Sequence, residues 1–342
     1  MLTVGVIGCG YWGPNLIRNF INIKDAEVKS CSDLREERLS HMKRLYPSIE
    51  TTKEYGEIIA DPDIDAVVIA TPVSTHFEIA RQALETGKHV FCEKPLAQSV
   101  DQGVSMVDLA DDRDRVLMVG HTFVYTAAVN KIKELINSGE LGDIYYISTS
   151  RVNLGLFQED INVVWDLAPH DVSIMNYILG SRPEAVSAVG HSYIQPGIQD
   201  VSFVTIRFPG SILSNLHVSW LNPNKIRKTT VVGSKKMLVY DDISSLEKIR
   251  IYDKGVDVIP HYDTFGEFQL SYRYGDIHIP KLDDAEPLKN ECQHFIDCIG
   301  GKEPRSSGRH GLEVLLVLDA IDRSMSANGS EIEIEYPSNL KR

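Results

Sequence analysis

Three groups of residues in this 342-residue chain have the types and spacing to do chemistry. The first is Gly8-Cys9-Gly10-Tyr11-Trp12-Gly13. Missing Cβ atoms at its three glycines leave room for a tight turn, for a pyrophosphate against the backbone, and for close contact between strand and helix. The second is Glu93-Lys94-Pro95, where the proline disfavours helical geometry at residue 94 and keeps the lysine extended. An ammonium there could donate to a hydroxyl and stabilise charge developing on its oxygen; the plainer alternative is a solvated lysine beside a turn. The third is Trp165-Asp166-Leu167-Ala168-Pro169-His170-Asp171. On a helix, residues 166 and 170 share one face about 6 Å apart, which suits a histidine general base set by a carboxylate. Pro169 fits that helix only in its first turn. Alternatively, Asp166 is a helix N-cap and His170 an exposed first-turn residue.

The elements that must carry these groups are legible as strand and helix periods. Residues 2–7 form an apolar strand running straight into the glycine turn, after which Leu16, Ile17 and Phe20 recur at helical spacing. A strand over 26–32 delivers Asp33, whose carboxylate is placed to hold an adenosine ribose diol and to repel a 2′-phosphate. That favours NAD over NADP, a preference softened by Arg35; Asp33 as a mere helix cap is the alternative. Strands at 65–70, 89–92 and 116–119 alternate with helices at 76–84 and 99–111. This rhythm predicts a parallel sheet covered on both faces. Its strand ends bring Gly8, Asp33, Ala70-Thr71-Pro72, Glu93-Lys94-Pro95 and Gly120-His121 toward one crevice.

Beyond residue 121 the pattern changes. A helix over 127–137 is followed by strands near 144–150, 185–191, 200–208, 212–220, 228–232, 236–240 and 248–252, with Pro209-Gly210 and Lys254-Gly255 as turns. This predicts a largely antiparallel open sheet. The expected organisation is therefore α/β in two domains, a dinucleotide-binding Rossmann domain at 1–121 and an α/β domain at 122–342. Late helices are expected at 288–299 and 311–327.

Composition narrows the partners. With 35 Lys and Arg against 48 Asp and Glu, the net charge of -13 offers no global field for nucleic acid or an anionic bilayer. No apolar run is long enough for a membrane helix, and the N-terminus lacks a secretory pattern. The five cysteines include no CxxC pair and are read as small buried hydrophobes of a cytoplasmic protein. No metal is expected at Asp166, His170 and Asp171, since neighbouring helical positions point apart and no second histidine has ligand spacing.

The glycine loop, Ala70-Thr71-Pro72, Glu93-Lys94-Pro95 and the Asp166–His170 spacing together resemble the Gfo/Idh/MocA oxidoreductases over essentially the whole chain. The resemblance implies hydride transfer between NAD(P) and a sugar or polyol, and an open C-terminal sheet that joins subunits into a homodimer or homotetramer. It implies Lys94 and Asp166 as catalytic, with His170 moving the proton. For the cofactor it implies Gly8, Gly10, Tyr11, Trp12, Gly13, Asp33, Arg35, Thr71, Pro72, His76, Glu93 and Lys94. Many members carry an Arg-Phe pair after the glycine matching Gly120, whereas this chain has His121-Thr122-Phe123, so that arginine's contacts do not carry over.

Arg151, Asn153, Trp165 and Trp220-Leu221-Asn222-Pro223-Asn224-Lys225 resemble the branch that oxidises nucleotide-linked hexoses at C3. The expected substrate set is Lys94, Arg151, Asn153, Trp165, Asp166, His170 and Lys225. Arg151, Lys225 and Arg227 would suit a diphosphate, or else are fold and surface charges. An inositol or free-sugar dehydrogenase, an enzyme that never releases its cofactor, and a non-catalytic dinucleotide sensor remain open alternatives.

Overall fold

A computed structural model describes residues 1–258 and 270–340. The chain divides into two compact units: Met1–Thr126 with Ala285–Asp319 and Glu335–Arg342, and Ala127–Asp284 with Ala320–Ile334.

The first unit holds a six-stranded sheet in which every pairing is parallel. Its strands are β1 (Leu2–Ile7), β2 (Ala26–Ser32), β3 (Glu50–Thr52), β4 (Ala66–Ile69), β5 (His89–Cys92) and β6 (Leu117–Val119). They run in the order β3-β2-β1-β4-β5-β6. Both faces are covered, so β4 is apolar throughout and all four of its side chains are buried. The short edge strand β3, Glu50-Thr51-Thr52, is polar and lacks that signature. The intervening helices are α1 (Gly13–Ile21), α2 (Glu36–Leu45), α3 (Tyr55–Ala60), α4 (His76–Glu85) and α5 (Val100–Asp112).

The second unit opens with α6 (Ala127–Asn137), β7 (Ile144–Val152) and α7 (Val163–Leu179). Strands β8 (Ala185–His191), β9 (Val201–Phe208), β10 (Ile212–Ser219), β11 (Ile226–Gly233), β12 (Met237–Asp241), β13 (Ile249–Val258) and β14 (Leu270–His278) follow. Helix α8 (Pro287–Ile299) belongs to the first unit, the residues of α9 (Gly308–Ser326) are divided between the two at Asp319, and β15 (Ile332–Glu333) belongs to the second. The sheet order is β14-β13-β12-β11-β7-β10-β9-β8-β15 among the described residues, antiparallel except where β7 and β10 run side by side. Alternation along β9 buries Val204, Ile206 and Phe208 on one face and exposes Phe203 on the other.

Two expectations require correction. Lys254-Gly255 is no turn: both residues lie inside β13, opposite Tyr274 and Arg273, just past an irregularity in register after Tyr252. A Cβ on Gly255 would come within 2.6 Å of the Arg273 guanidinium, the far end of a flexible side chain that can move aside. Helix α7 also begins before the aspartate that could have capped it. Asn162 is its N-cap, and Asn162 Oδ1 accepts from the amides of Val164 (3.0 Å) and Trp165 (3.2 Å). Pro169 consequently sits inside the helix, past the first turn, and gives no amide hydrogen to the Trp165 carbonyl. Gly180, with φ of 60°, ends the helix as its spacing predicts.

In the first unit, late helix α8 completes the core. Phe295 meets Phe20 and Phe91 edge-on, with centroids 6.2 and 5.6 Å apart. Glu286, the residue before α8, accepts hydrogen bonds from Arg18 and from Asn19. All five cysteines are buried. Among the described residues, no helix is long and apolar enough to cross a membrane.

Candidate active site

The glycine loop links β1 to α1 and is sterically forced. Gly8 has φ of 97°, and a Cβ there would lie 2.5 Å from the Ala70 carbonyl oxygen. At Gly13 a Cβ would lie 1.9 Å from the Gly8 oxygen. Gly10 differs: its nearest neighbour would be Arg35 at 3.8 Å, so the loop there faces open space. The first turn of α1 contains no acidic residue and Trp12 makes no side-chain cap, which leaves its amides to a ligand.

These residues border a cleft of about 740 Å³ in the first unit. Gly8, Gly10, Tyr11 and Trp12 line one side, Asp33 and Arg35 the end of β2, and Thr71 and Pro72 the end of β4. The volume suits a cofactor-sized ligand. Asp33 Oδ2 accepts from the Cys9 amide at 2.8 Å, which ties the glycine loop to β2. Its Oδ1 accepts from the Arg35 amide (3.0 Å) and Nε (3.1 Å). Burial works to raise the Asp33 carboxyl, but the bonds from Arg35 and Cys9 outweigh it and hold the group below the usual range. An ionised carboxylate beside an amide-lined glycine turn fits a dinucleotide: the amides for its diphosphate, Asp33 for a ribose diol.

Next to this cleft's strands, β5 runs out into Glu93-Lys94-Pro95. His76 pins the Pro95 segment: its Nδ1 lies 2.8 Å from the Pro95 carbonyl and its Nε2 2.9 Å from that of Thr71. Buried in this bridge, His76 orders the two turns rather than facing the cleft. Glu93 is also buried. Desolvation pushes its carboxyl up to about 7, against the pull of Lys94. It lies against Gly120, where a Cβ would come within 2.9 Å of Oε2.

Two further buried groups join this end of the sheet: Glu291, which no sequence motif singled out, and His121, read from the sequence only as a strand-end residue facing the crevice. Glu291 of α8 accepts from Thr122 Oγ1 at 2.6 Å, and burial together with the Glu93 charge raises its carboxyl well above the usual range. His121 meets His310 edge-on at 5.4 Å. Burial, then His310 and Lys94, hold the His121 imidazole well below its ordinary value. A signal for Glu291 was present: a carboxylate in the helical stripe of Leu288, Cys292 and Phe295.

In the second unit, Asp166 and His170 stand half-buried one turn apart on α7. Asp166 Oδ2 accepts from the indole Nε1 of Trp220 at 2.9 Å. Trp165 donates its own indole N–H to Asp322 Oδ2 at 2.6 Å, and Asp322 Oδ1 accepts from the Asn162 side-chain Nδ2 at 2.9 Å. Asp322 lies on α9, far from any local motif, and had no signal in the sequence. Arg151 is turned inward: Nε lies 2.5 Å from Asp171 Oδ2 in a fully buried pair, so its charge is committed to the core rather than presented to solvent. Asn153 is held by backbone bonds to Ser219 and Asn222. Lys225 is exposed in the loop before β11, and Arg227 lies 3.6 Å from Asp242.

Comparison with known proteins agrees with this reading of the fold. Residues 2–121 match the family model described as an oxidoreductase family with an NAD-binding Rossmann fold, and residues 129–239 match the GFO/IDH/MocA C-terminal domain. A myo-inositol 2-dehydrogenase of Thermotoga maritima is 27% identical over 96% of this chain and 98% of its own. The scyllo-inositol 2-dehydrogenase (NAD(+)) of Bacillus subtilis is 26% identical over 87% of this chain and 86% of its own. Among solved structures, a UDP-N-acetylglucosamine 3-dehydrogenase from Acidithiobacillus ferrooxidans superposes with a TM-score of 0.78 at 22% identity, covering 95% of this chain and 98% of its own. Two models of one family, covering both the dinucleotide cleft and the helix that carries Asp166 and His170, identify the chain as a member of the GFO/IDH/MocA oxidoreductases.

Proposed function

We propose that this NAD(P)-dependent oxidoreductase acts on a secondary alcohol of a sugar, and that the sugar is a nucleotide-linked hexose. The observation that carries the chemistry is the pairing of Asp166 and His170 on one face of α7, with Asp166 held by an indole donor. When bound, the nicotinamide supplies the hydride acceptor in oxidation and the hydride donor in reduction. His170 takes the hydroxyl proton in oxidation and returns it in the reverse direction. Lys94 donates to the alcohol oxygen and stabilises the charge that grows there. Asp166 orients the site and balances its charge. Asp33, Gly8, Gly10 and Gly13 hold the dinucleotide.

Exposed Lys225, with Arg227 on the following strand, supports a substrate bearing a diphosphate. The inositol dehydrogenases among the relatives favour a second reading, a free polyol. Initial rates of NADH formation with UDP-hexoses, free hexoses and inositols separate the two: turnover with free inositol alone overturns the nucleotide reading. Lys94→Ala and His170→Ala should each lose about 100-fold or more in kcat with dinucleotide binding retained; full turnover in both folded variants would remove the assignment. Exposed Phe203, Leu213 and Val189 on the sheet of the second unit support self-association through that face, which sedimentation would show as a dimer or tetramer.

A further inference from the structure

Trp220 directly follows β10 and is the largest of the fully buried side chains among the described residues, yet its one polar side-chain atom is not spent on the backbone. An indole has a single donor and no acceptor, and a buried one needs a partner. Here the partner is Asp166 Oδ2, 2.9 Å away on a different element. The ring is fixed from several sides. The Trp220 amide donates to the Asp200 carbonyl and the Trp220 carbonyl accepts from the Gly155 amide, both at 2.9 Å. Phe157 stacks edge-on at 5.5 Å. Gly155 gives way to the indole: a Cβ there would lie 2.7 Å from Trp220 Cδ1. Asp200, which anchors the Trp220 amide, is itself fully buried and accepts from the amides of Tyr193 and Ile194.

We propose that Trp220 is a positioning residue for the oxidoreductase reaction: its indole N–H, seated by the segment 155–157, fixes the Asp166 carboxylate on α7. This rests on the reading of Asp166 as part of the reaction machinery. A half-buried aspartate on a helix surface otherwise samples several rotamers, and an indole rigidly framed by backbone bonds removes that freedom before substrate arrives. A purely space-filling role would ask only for a large apolar ring.

Trp220→Phe keeps the ring and removes the donor. It should lower kcat about 10- to 100-fold, the range set by one hydrogen bond to a charged group, with KM for the dinucleotide and the thermal midpoint little changed. In an Asp166→Ala background, which removes the acceptor, the same substitution should cost nothing further, because the interaction is already gone. An independent readout needs no Trp220 variant. The three tryptophans give three indole N–H resonances in a nitrogen–proton spectrum, assigned by Trp12→Phe and Trp165→Phe. Asp166→Ala should shift the Trp220 resonance and speed its exchange with solvent. An inactive Asp166→Ala combined with wild-type kcat in Trp220→Phe, or losses that simply multiply in the double variant, overturns the positioning role alone. An unmoved Trp220 resonance in Asp166→Ala also overturns it. Full kcat in Asp166→Ala instead removes the reading of Asp166 on which the role depends.

Discussion

Replacing Glu93 with glutamine should flatten the dependence of stability on pH. The Glu93 side chain is buried at the end of β5, and desolvation lifts its carboxyl from 4.5 to about 7 despite the attraction of Lys94. Between those two values the folded protein keeps a proton that the unfolded chain has released. Stability therefore falls as pH rises through the window from about 4.5 to 7, and levels off above it. At about 1.4 kcal/mol per pH unit the full displacement is about 3 kcal/mol. Glutamine has no such proton, so the stability of Glu93→Gln relative to wild type should climb by about 3 kcal/mol from pH 4.5 to 7.5. For a unit of this size that widens the difference in Tm by roughly 6–12 °C. Calorimetric melts of both proteins at half-unit pH steps measure it directly. Parallel curves would refute the reasoning, because they would mean that Glu93 titrates alike folded and unfolded. Glu291, raised by burial and by the Glu93 charge, titrates jointly with it, so Glu291→Gln should show the same sign.

Gly13→Ala should fail to reach the soluble folded state or melt far below wild type, since its Cβ meets the Gly8 oxygen at 1.9 Å. Gly10→Ala should melt normally but bind NAD weakly, because its Cβ points into open space beside the proposed diphosphate; tight NAD binding in that variant would displace the diphosphate from the glycine loop. Asp33→Asn should weaken NAD by about 10-fold or more and narrow the preference over NADP, as titration calorimetry with both nucleotides would report. Arg151→Ala should cost about 3–5 kcal/mol in urea unfolding by stranding Asp171 in the core; a loss confined to substrate affinity would return Arg151 to the substrate set.

What the sequence made legible follows from burial. Strands β1 and β4 are covered on both faces, so Val4, Val6 and Ala66–Ile69 are apolar without interruption and declare themselves. Edge strand β3 has no such demand and stays hidden. The Lys254-Gly255 pair reads as a turn from its residue types alone; only its pairing with Tyr274 and Arg273 across the sheet shows it to be mid-strand. The start of α7 was ambiguous for a chemical reason, since Asn162 and Asp166 are both good caps and only the hydrogen bonds decide between them. The candidate chemistry at Lys94, Asp166 and His170 was visible as local motifs. The bonds that Trp220 donates to Asp166 and Trp165 donates to Asp322 link distant elements, and although Trp220 stood out as part of a motif, no local spacing announces a partner more than fifty positions away.

The closure of the first unit by α8 also has a bearing on how the protein is made. Arg18 and Glu286 are 268 positions apart, so at about 10 residues per second a ribosome needs roughly half a minute to deliver the second after the first. Until then the nascent Rossmann sheet keeps Phe20 and Phe91 without Phe295, an apolar surface open to chaperones or to neighbouring polysome chains. A polypeptide halted before Ala285 should accordingly be nicked in α1 by trace protease under conditions that spare the finished protein.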